Sequence, residues 1–444
     1  MSFLWSLGSF IIVIGVLVSV HEYGHFWAAR KCGIKVHRFS IGFGKVLWSK
    51  VDKQGTEFAV SAIPLGGYVK MLDERNEQVP DNLKSQAFNN KSILQRAFVI
   101  AAGPIANFLF AILAYLTVYS IGIPSIKPVI ENVVPQSLAE KAGLEPYSQI
   151  MAIDGTSTPD WESINMVLAT KMGEESVTLT LLKSSTTNIE QRKVLDLSEW
   201  NFDPEKETAF GALGIVPVRT KIEMILSKVV ENSPAQRAGL LIGDQIYYQN
   251  EPMKWRDFIS FVDKGDSFNV QVLRHGEWLD KVITPHLNEK GKWFVGVAPT
   301  IYYPISDEYR TELKYGFFEA FIKGIEKTYQ LSKLTIQIIG KLFTGVFSAK
   351  NLSGPISIAK GAGASSEIGF VYYLSFMALI SVNLGIMNLF PLPVLDGGHL
   401  LFLAIEALKG KPLSEQMQNI AYKIGAGLLL ILTIFVLFND FLRL

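Results

Sequence analysis

Two histidines and a glutamate that could bind a metal ion and move a proton occur together near residue 20. His21-Glu22-Tyr23-Gly24-His25 places the histidines four positions apart. Positions i and i+4 share one face of a helix, so both imidazoles can coordinate the same metal ion. Glu22 can then take a proton from a water bound to that metal. The spacing predicts a metal site with its own general base. The alternative is a polar cluster at the end of an apolar helix that reaches toward the membrane surface.

A catalytic zinc ion usually has three protein ligands and one position open to water. No histidine or glutamate follows at the spacing that is usual in soluble zinc enzymes with this motif. The best third ligand is Asp396, in the segment Leu395-Asp396-Gly397-Gly398-His399. His399 is an alternative ligand, and Asp396 could instead cap the helix that follows it. We predict that His21, His25 and Asp396 bind the metal and that Glu22 is catalytic.

These residues lie in or beside long uncharged runs, which cover residues 1–20, 97–126, 368–395 and 424–439. Crossing the hydrocarbon of a bilayer takes about 20 mostly apolar residues. We therefore predict a polytopic α-helical membrane protein with four transmembrane helices, at 1–30, 97–121, 368–395 and 421–440. The first run lacks the basic start and the small-residue cleavage site of a signal peptide, so we expect it to be retained.

The overall composition agrees with a membrane protein. Hydrophobic residues make up 49% of the 444 residues, charged residues make up 19%, and the mean hydropathy is +0.24. The 42 Lys and Arg against 41 Asp and Glu give a net charge of +1, which argues against a broadly basic nucleic-acid-binding protein. Cys32 is the only cysteine, which excludes an intrachain disulfide framework and a cysteine-rich zinc module.

Basic residues near the first two spans predict the orientation of the chain. They are Arg30, Lys31, Lys35, Arg38, Lys84, Lys91 and Arg96. Since such residues favour the cytoplasmic side, we expect segment 31–96 and the short loop 396–420 to lie inside and both termini to lie outside. The first and third spans then run in the same direction. His21 and Asp396 are expected at similar depth, toward the cytoplasmic leaflet.

A sequence pattern repeats at an offset of 96 residues between the second and third spans. VVPQSLAEKAGL covers 133–144 and VVENSPAQRAGL covers 229–240, and seven of the twelve positions are identical. Such self-similarity is typical of tandem structural units. We predict two related, mostly β domains at 122–219 and 220–304.

The repeated segments resemble PDZ domains, in which S-P-A-x-x-A-G-L precedes a turn and a strand. The resemblance implies peptide-binding loops at Leu213-Gly214-Ile215 and at Val295-Gly296-Val297. Each copy ends with its loop, which suggests that both are circularly permuted. PDZ domains bind peptides by adding a strand to a sheet edge. The alternatives are β domains without a ligand, and a pair of domains that acts only as a size filter.

In combination, the first-span HExxH, the third-span L-D-G and the PDZ-like insert resemble the site-2 protease family of intramembrane zinc metalloproteases, in particular its bacterial members with tandem PDZ domains. The resemblance covers essentially the whole chain. It implies zinc as the cofactor of His21, His25 and Asp396, and an inner-membrane protein with periplasmic PDZ domains. The implied substrates are single-span membrane proteins, above all an anti-sigma factor already trimmed outside, in envelope stress signalling. Remnant signal peptides are a second class.

Other segments are candidates for holding an unwound substrate. Residues 39–72 read as a hairpin with a turn at 52–55 and strands at 56–63 and 68–72. The family has a membrane-associated β-loop here with a G-x-G element, which this match places at Gly42, Phe43 and Gly44. A hairpin there could offer an edge strand to the substrate, whereas the alternative is a surface hairpin.

Two amides in the third span are further candidates. Asn383 and Asn388 precede Pro391 and Pro393, which break the helix before Asp396. We expect Asn388, with Asn383 second, to bind the substrate backbone or the oxyanion, whereas the alternative is contact between helices.

Two further segments are expected to support the site. Gly103-Pro104 with Asn107 in the second span matches a family G-P-x-x-N element and is interpreted as packing and a kink. Residues 305–365 predict an amphipathic connector on the periplasmic face. That connector could couple the outer domains to the site or serve as a passive anchor.

Functions of two other classes remain possible at this point. A PDZ-bearing membrane scaffold or receptor could carry a structural metal site, but it would not need three ligands plus Glu22. A metal transporter would need polar residues along several spans, whereas the ionisable residues here cluster at one depth.

Overall fold

The computed structural model describes residues 3–75, 77–183, 190–202, 207–218, 221–288, 291–302, 307–346, 352 and 354–442. The helices in these ranges are α1 (Phe3–Lys31), α2 (Ile93–Ile121), α3 (Leu138–Lys141), α4 (Trp161–Ala169), α5 (Ala209–Ala212), α6 (Pro234–Arg237), α7 (Trp255–Lys264), α8 (Phe317–Phe343), α9 (Pro355–Ile368), α10 (Phe370–Asn388), α11 (Asp396–Lys409) and α12 (Glu415–Leu442). The strands are β1 (Val36–Val51), β2 (Glu57–Met71), β3 (Ile123–Ile126), β4 (Ile130–Val133), β5 (Ser148–Ile153), β6 (Thr156–Ser157), β7 (Ser176–Lys183), β8 (Glu190–Asp196), β9 (Ile215–Pro217), β10 (Lys221–Val229), β11 (Gln245–Tyr248), β12 (Glu251–Pro252), β13 (Phe268–Arg274), β14 (Glu277–Ile283), β15 (His286–Leu287), β16 (Trp293–Phe294), β17 (Val297–Tyr302) and β18 (Arg310–Leu313).

Four of the described helices are long and apolar enough to cross a membrane, namely α1, α2, α10 and α12. Their number confirms the four candidate spans expected from the sequence. Ser92 and Gln95 form a capping box at the start of α2, before the uncharged run at residue 97 begins. Helix α10 ends at Asn388, earlier than the predicted residue 395, because Pro391 and Pro393 cannot continue a helix.

The β1–β2 hairpin lies between the first two spans and folds over on itself. Residues 46–51 of β1 pair with residues 57–61 of β2, and residues 38–41 pair with both 57–60 and 67–70. Strand β1 bends at residues 42–44, where Gly42 and Gly44 have positive φ angles that favour glycine. The chain reverses at residues 52–56 as expected, but Pro64–Gly67 are included in β2 rather than forming a separate connection.

Two β-rich regions follow α2, and their elements occur in the same order except that α5 of the first region stands where the second has β15 and β16. We call residues 130–217 domain 1 and residues 221–302 domain 2. In each, the repeated motif forms a short helix (α3 or α6) that is capped by a serine, Ser137 or Ser233. The predicted domain boundaries at 219–220 and 304–305 lie outside the described residues.

The last strand of each domain closes back onto the first. Strand β9 pairs with β4 in domain 1, and β17 pairs with β10 in domain 2. The loops before these strands make equivalent hydrogen bonds, because Ala139 N–H donates to Leu213 C=O and Ala235 N–H donates to Val295 C=O. The sequence repeat is therefore also a repeat of backbone contacts.

Helix α8 falls within the predicted amphipathic connector, and its buried residues lie along one face. Leu331 belongs to a buried cluster with Ala111 and Tyr115 of α2, which also contains residues of α10. Leu334, three residues further along, lies in the buried core of domain 1. An apolar stripe on a helix predicts that a face is covered, but it does not identify the neighbour.

Candidate metal centre

The three predicted metal ligands converge on one point. Asp396 Oδ2 lies 3.2 Å from His21 Nε2 and 3.5 Å from His25 Nε2, and the two Nε2 atoms are 3.2 Å apart. Donor atoms held about 2.0–2.1 Å from a tetrahedral zinc ion lie about 3.3–3.4 Å from each other. The observed separations match that spacing, and two imidazole nitrogens with one carboxylate are a donor set typical of catalytic zinc.

The tautomer of His25 also suits a metal ligand. Its Nδ1 lies 2.8 Å from the backbone carbonyl oxygen of Val99, which can only accept a hydrogen bond. The imidazole therefore carries its proton on Nδ1 and leaves the Nε2 lone pair directed at Asp396 and His21.

Helix α2 makes room for both histidines. A Cβ atom at Gly103 would overlap His25 Nε2 and would lie 2.9 Å from His21 Cε1. Only glycine allows α2 to approach the imidazoles this closely. Gly103 therefore serves the site directly, in addition to packing the two spans together.

The turn after α10 places Asp396 opposite the histidines. Cβ atoms at Gly397 and Gly398 would overlap the carbonyl groups of Leu389 and Leu392, so the D-G-G sequence lets α11 start tightly against that turn. Further along α11, the Glu406 carboxylate accepts hydrogen bonds from Arg96 at 2.6 and 3.1 Å. This half-buried pair joins α11 to the start of α2. Asp396 itself does not cap α11 through its side chain.

Glu22 lies on a cavity of about 870 Å³ that also reaches His25 and Asp396. One wall of the cavity is formed by residues 68–71 at the end of β2, and another is formed by residues of α11 and α12. A carboxylate beside the ligands, on a cavity that can admit water and a peptide, has the placement that a general base needs.

The other predicted residues lie at different distances from the centre. Asn388 Nδ2 is 3.5 Å from His21 Nδ1, whereas Asn383 Oδ1 accepts a hydrogen bond from Thr335 of α8 at 2.9 Å. His399 contacts the Tyr422 hydroxyl at 3.3 Å and does not belong to the cluster of potential metal ligands.

The G-x-G element and the two loops of the β domains are not among the described residues that line the cavity beside the ligands. Phe43, between Gly42 and Gly44, stacks on Tyr68 with ring centroids 6.3 Å apart, and Tyr68 lines the cavity. Residues 213–215 and 295–297 belong to domains 1 and 2 and are not among the cavity-lining residues of the described chain.

The structure brings three features to the site. The sequence predicted an edge strand in the 39–72 hairpin without saying which residues form that edge, and it assigned no role in the site to Asn107 or to the Arg96–Glu406 pair. Residues 67–70 of β2 pair with β1 along one edge, and the described strands leave the other edge unpaired beside Glu22. Asn107 contacts His21, and the Arg96–Glu406 pair anchors α11. The G-P-x-x-N pattern was the one signal that could have indicated Asn107.

Comparison with known proteins agrees with this geometry. The family description "Peptidase family M50" matches residues 9–432. The chain is 68% identical to "Regulator of sigma E protease" of Haemophilus influenzae and 68% identical to "Putative zinc metalloprotease PM1991" of Pasteurella multocida. It is 51% identical to "Regulator of sigma-E protease RseP" of Escherichia coli. Each of these matches covers 100% of both chains. The resemblance inferred from the sequence is thus confirmed, and the chain belongs to Peptidase family M50, the site-2 protease family.

Proposed function

We propose that the protein is an intramembrane zinc endopeptidase that cleaves transmembrane segments of single-span substrates, with His21, His25 and Asp396 as zinc ligands and Glu22 as general base. The observation that carries the proposal is the convergence of the three ligand atoms beside Glu22. His21, Glu22 and His25 lie on a helix long enough to span a membrane, and Asp396 starts α11 shortly after another such helix, α10. Membership of family M50 and the zinc metalloprotease relative support both the activity and the metal.

Zinc bound at this centre would supply a Lewis acid that lowers the pKa of a water molecule and polarises the scissile carbonyl. Glu22 takes the proton from the attacking water and passes it to the leaving amide nitrogen. His25 is held by the Val99 carbonyl, and Asp396 is held by the tight turn before α11, so neither ligand must reorganise during the reaction.

A transmembrane substrate must unwind before its backbone can reach the centre. We assign the unpaired edge of residues 67–70 to this task, because an added strand satisfies the peptide groups of an unwound segment. Asn388 is the side chain that we expect to bind the substrate or the oxyanion, being only partly buried and close to His21. Asn383 and residues 42–44 would act further out, the latter through the Phe43–Tyr68 contact.

The names of the relatives suggest the class of substrate. Proteins called regulators of sigma-E cover this chain end to end, so we propose a membrane-bound anti-sigma factor as substrate and the bacterial inner membrane as location. The basic residues of segment 31–96 support a cytoplasmic placement of that segment and a periplasmic placement of domains 1 and 2. We interpret these domains as circularly permuted PDZ domains that exclude substrates with a bulky outer domain.

The decisive variant is Glu22→Gln, assayed in the purified full-length protein with a single-span substrate and with a longer version that keeps its outer domain. Glutamine preserves size but cannot accept the proton, so zinc content should stay unchanged while cleavage falls by at least about 100-fold. Glu326→Gln, which alters an exposed acid on α8, is the matched control and should cleave normally.

Each assignment can fail separately. Cleavage by Glu22→Gln at the wild-type rate would show that another group is the base. Unchanged zinc content in His21→Ala would exclude this ligand set. A wild-type protein that retains zinc and cuts neither substrate would favour a scaffold with a structural metal.

A further inference from the structure

The amide of Asn107 is buried beside a metal ligand and has one unsatisfied atom. Its side chain is completely inaccessible to solvent, and Nδ2 lies 3.1 Å from His21 Nδ1. Its Oδ1 is buried and has no hydrogen-bond partner among the described residues. A buried carbonyl oxygen without a partner costs about 1–3 kcal/mol, so such an arrangement needs an explanation.

The explanation lies in the tautomer that a metal-binding His21 requires. Its Nε2 points toward Asp396 and His25, so Nε2 must present a lone pair and Nδ1 must carry the proton. A protonated Nδ1 donates, and the group facing it must accept. An amide nitrogen cannot accept this hydrogen bond, whereas an amide oxygen in the same place can.

Turning the Asn107 amide by 180° gives Oδ1 a donor and gives the His21 Nδ1 proton an acceptor in one movement. The oxygen and nitrogen of an amide have nearly the same size, and hydrogen-bond partners decide which is which. After the turn, Oδ1 lies about 3.1 Å from Nδ1 and receives its proton. The backbone of Asn107 needs no adjustment, because its carbonyl oxygen is already held by the Ser381 hydroxyl at 2.9 Å.

Asn388 is a weaker candidate for the same role. Its Nδ2 is 3.5 Å from His21 Nδ1, at the limit of a hydrogen bond, and its side chain is only partly buried. Asn107 is closer and fully enclosed, which leaves Asn388 available for a substrate.

We propose that Asn107 is a positioning residue of the metal centre, whose side-chain oxygen accepts the Nδ1 proton of His21 and thereby fixes the tautomer and the ring orientation of that ligand. With His25 held by the Val99 carbonyl, each histidine then has its own acceptor on α2. The inference rests on the zinc-ligand role of His21 proposed above. It changes the interpretation of the G-P-x-x-N element, in which Gly103 admits the imidazoles and Asn107 orients one of them.

The test compares Asn107→Asp with Asn107→Leu in purified full-length protein. Aspartate keeps an oxygen at the same position and can only accept, whereas leucine keeps the volume and removes the acceptor. Zinc affinity, measured by competition with a chelator, should fall about 10–100-fold in the leucine variant and remain within about threefold of wild type in the aspartate variant. Tyr115→Phe, which removes a buried hydroxyl from the same helix near Ser375, is the matched control and should bind zinc normally.

The relative zinc affinities of the aspartate and leucine variants decide the proposal. If the aspartate variant loses zinc as the leucine variant does, or if leucine binds zinc as tightly as wild type, Asn107 is not the acceptor. If the leucine variant does not fold, the aspartate variant still decides the proposal. If the Asn107 amide donated to Nδ1, an aspartate in its place would repel the Nδ1 lone pair, and the aspartate variant would bind zinc less tightly. If instead the proposed ligand set is wrong, His21→Ala retains its zinc, so the two failures can be told apart.

Discussion

Domains 1 and 2 share a sequence motif and most of their element order but differ in what completes their cores. The core of domain 1 includes Leu334, which comes from α8 outside the domain. Among the described residues, the core of domain 2 draws its buried side chains only from 224–295, within the domain itself. One copy of the repeat is thus joined to the helices of the membrane region, and the other is self-contained.

An ion pair marks the same difference. In domain 2, Asp244 is fully buried at its side chain and accepts hydrogen bonds from Arg274 at 2.7 and 2.8 Å. The 96-residue offset places Ser148 at the corresponding position of domain 1. Domain 1 instead contacts α8 a second time, where Lys341 Nζ donates to the Met172 carbonyl oxygen at 2.6 Å. Two copies of a repeat can therefore keep a similar fold while different contacts stabilise them, an internal ion pair in one and contacts with α8 in the other.

The largest expected effect is the loss of the ion pair in domain 2. Asp244→Ala removes the carboxylate to which Arg274 donates and leaves the guanidinium bonded only to the Gly239 carbonyl oxygen. It should destabilise domain 2 by about 3–5 kcal/mol. Hydrogen exchange of the full-length protein should show the loss in β11 and β13, with little change in domain 1. Equal loosening of both domains would show that they unfold together and would break the comparison.

Helix α8 provides the complementary variant for domain 1. Leu334→Ala removes a side chain that is 5% exposed and should cost about 2–4 kcal/mol, seen as faster exchange in α4 and β7. Ile336→Ala, two positions away and 60% exposed, is the control and should leave exchange unchanged. Domain 2 should not respond to either variant. If Leu334→Ala has no effect on domain 1, α8 does not complete its core.

Acidification should affect domain 2 through the same carboxylate. Burial alone would raise the pKa of Asp244, but hydrogen bonds from Arg274 and from the Leu241 N–H hold it below the usual aspartate value. A lowered folded-state pKa means that the stabilisation is complete above about pH 3.9 and is lost as the pH falls through the folded value. As the pH falls through the folded-state pKa, amide hydrogen exchange in β11 of the wild-type protein should become faster than the intrinsic pH dependence of exchange alone would make it. The same acceleration in Asp244→Ala would exclude this carboxylate as the cause.

The sequence predicts the ionisable residues of the site because burying a charged group is costly. His21, Glu22, His25 and Asp396 stand out because ionisable groups in apolar runs are expensive and seldom lack a function. Their helical spacing and their shared depth then predict that they meet. A buried amide such as Asn107 carries no comparable penalty, so the G-P-x-x-N pattern singles it out without predicting its contact with a histidine 86 positions away.

The sequence predicts the fold to a similar degree, and the prediction of the fold fails for a related reason. Uncharged length predicts the four candidate spans, and self-similarity predicts a repeated region. Neither predicts which helix covers which domain, because the apolar stripe of α8 would suit a membrane surface as well as α2, α10 and domain 1. Pro64–Gly67 read as a turn, yet pairing on both sides of them makes β2 one bent strand.

The smallest expected effect tests whether α8 also reaches the span that leads to the site. The Thr335 hydroxyl donates to Asn383 Oδ1, one residue after Leu334 enters the core of domain 1. Thr335→Val removes this bond while keeping the side-chain shape and should cost about 1 kcal/mol, with faster exchange in α10. Thr344→Val, whose hydroxyl bonds only within its own helix end, is the matched control. If α10 responds to Thr335→Val and also to Leu334→Ala, domain 1 and the active-site span are coupled through α8. If α10 responds to neither, domain 1 is attached beside the site without influencing it, and the two domains differ in anchorage alone.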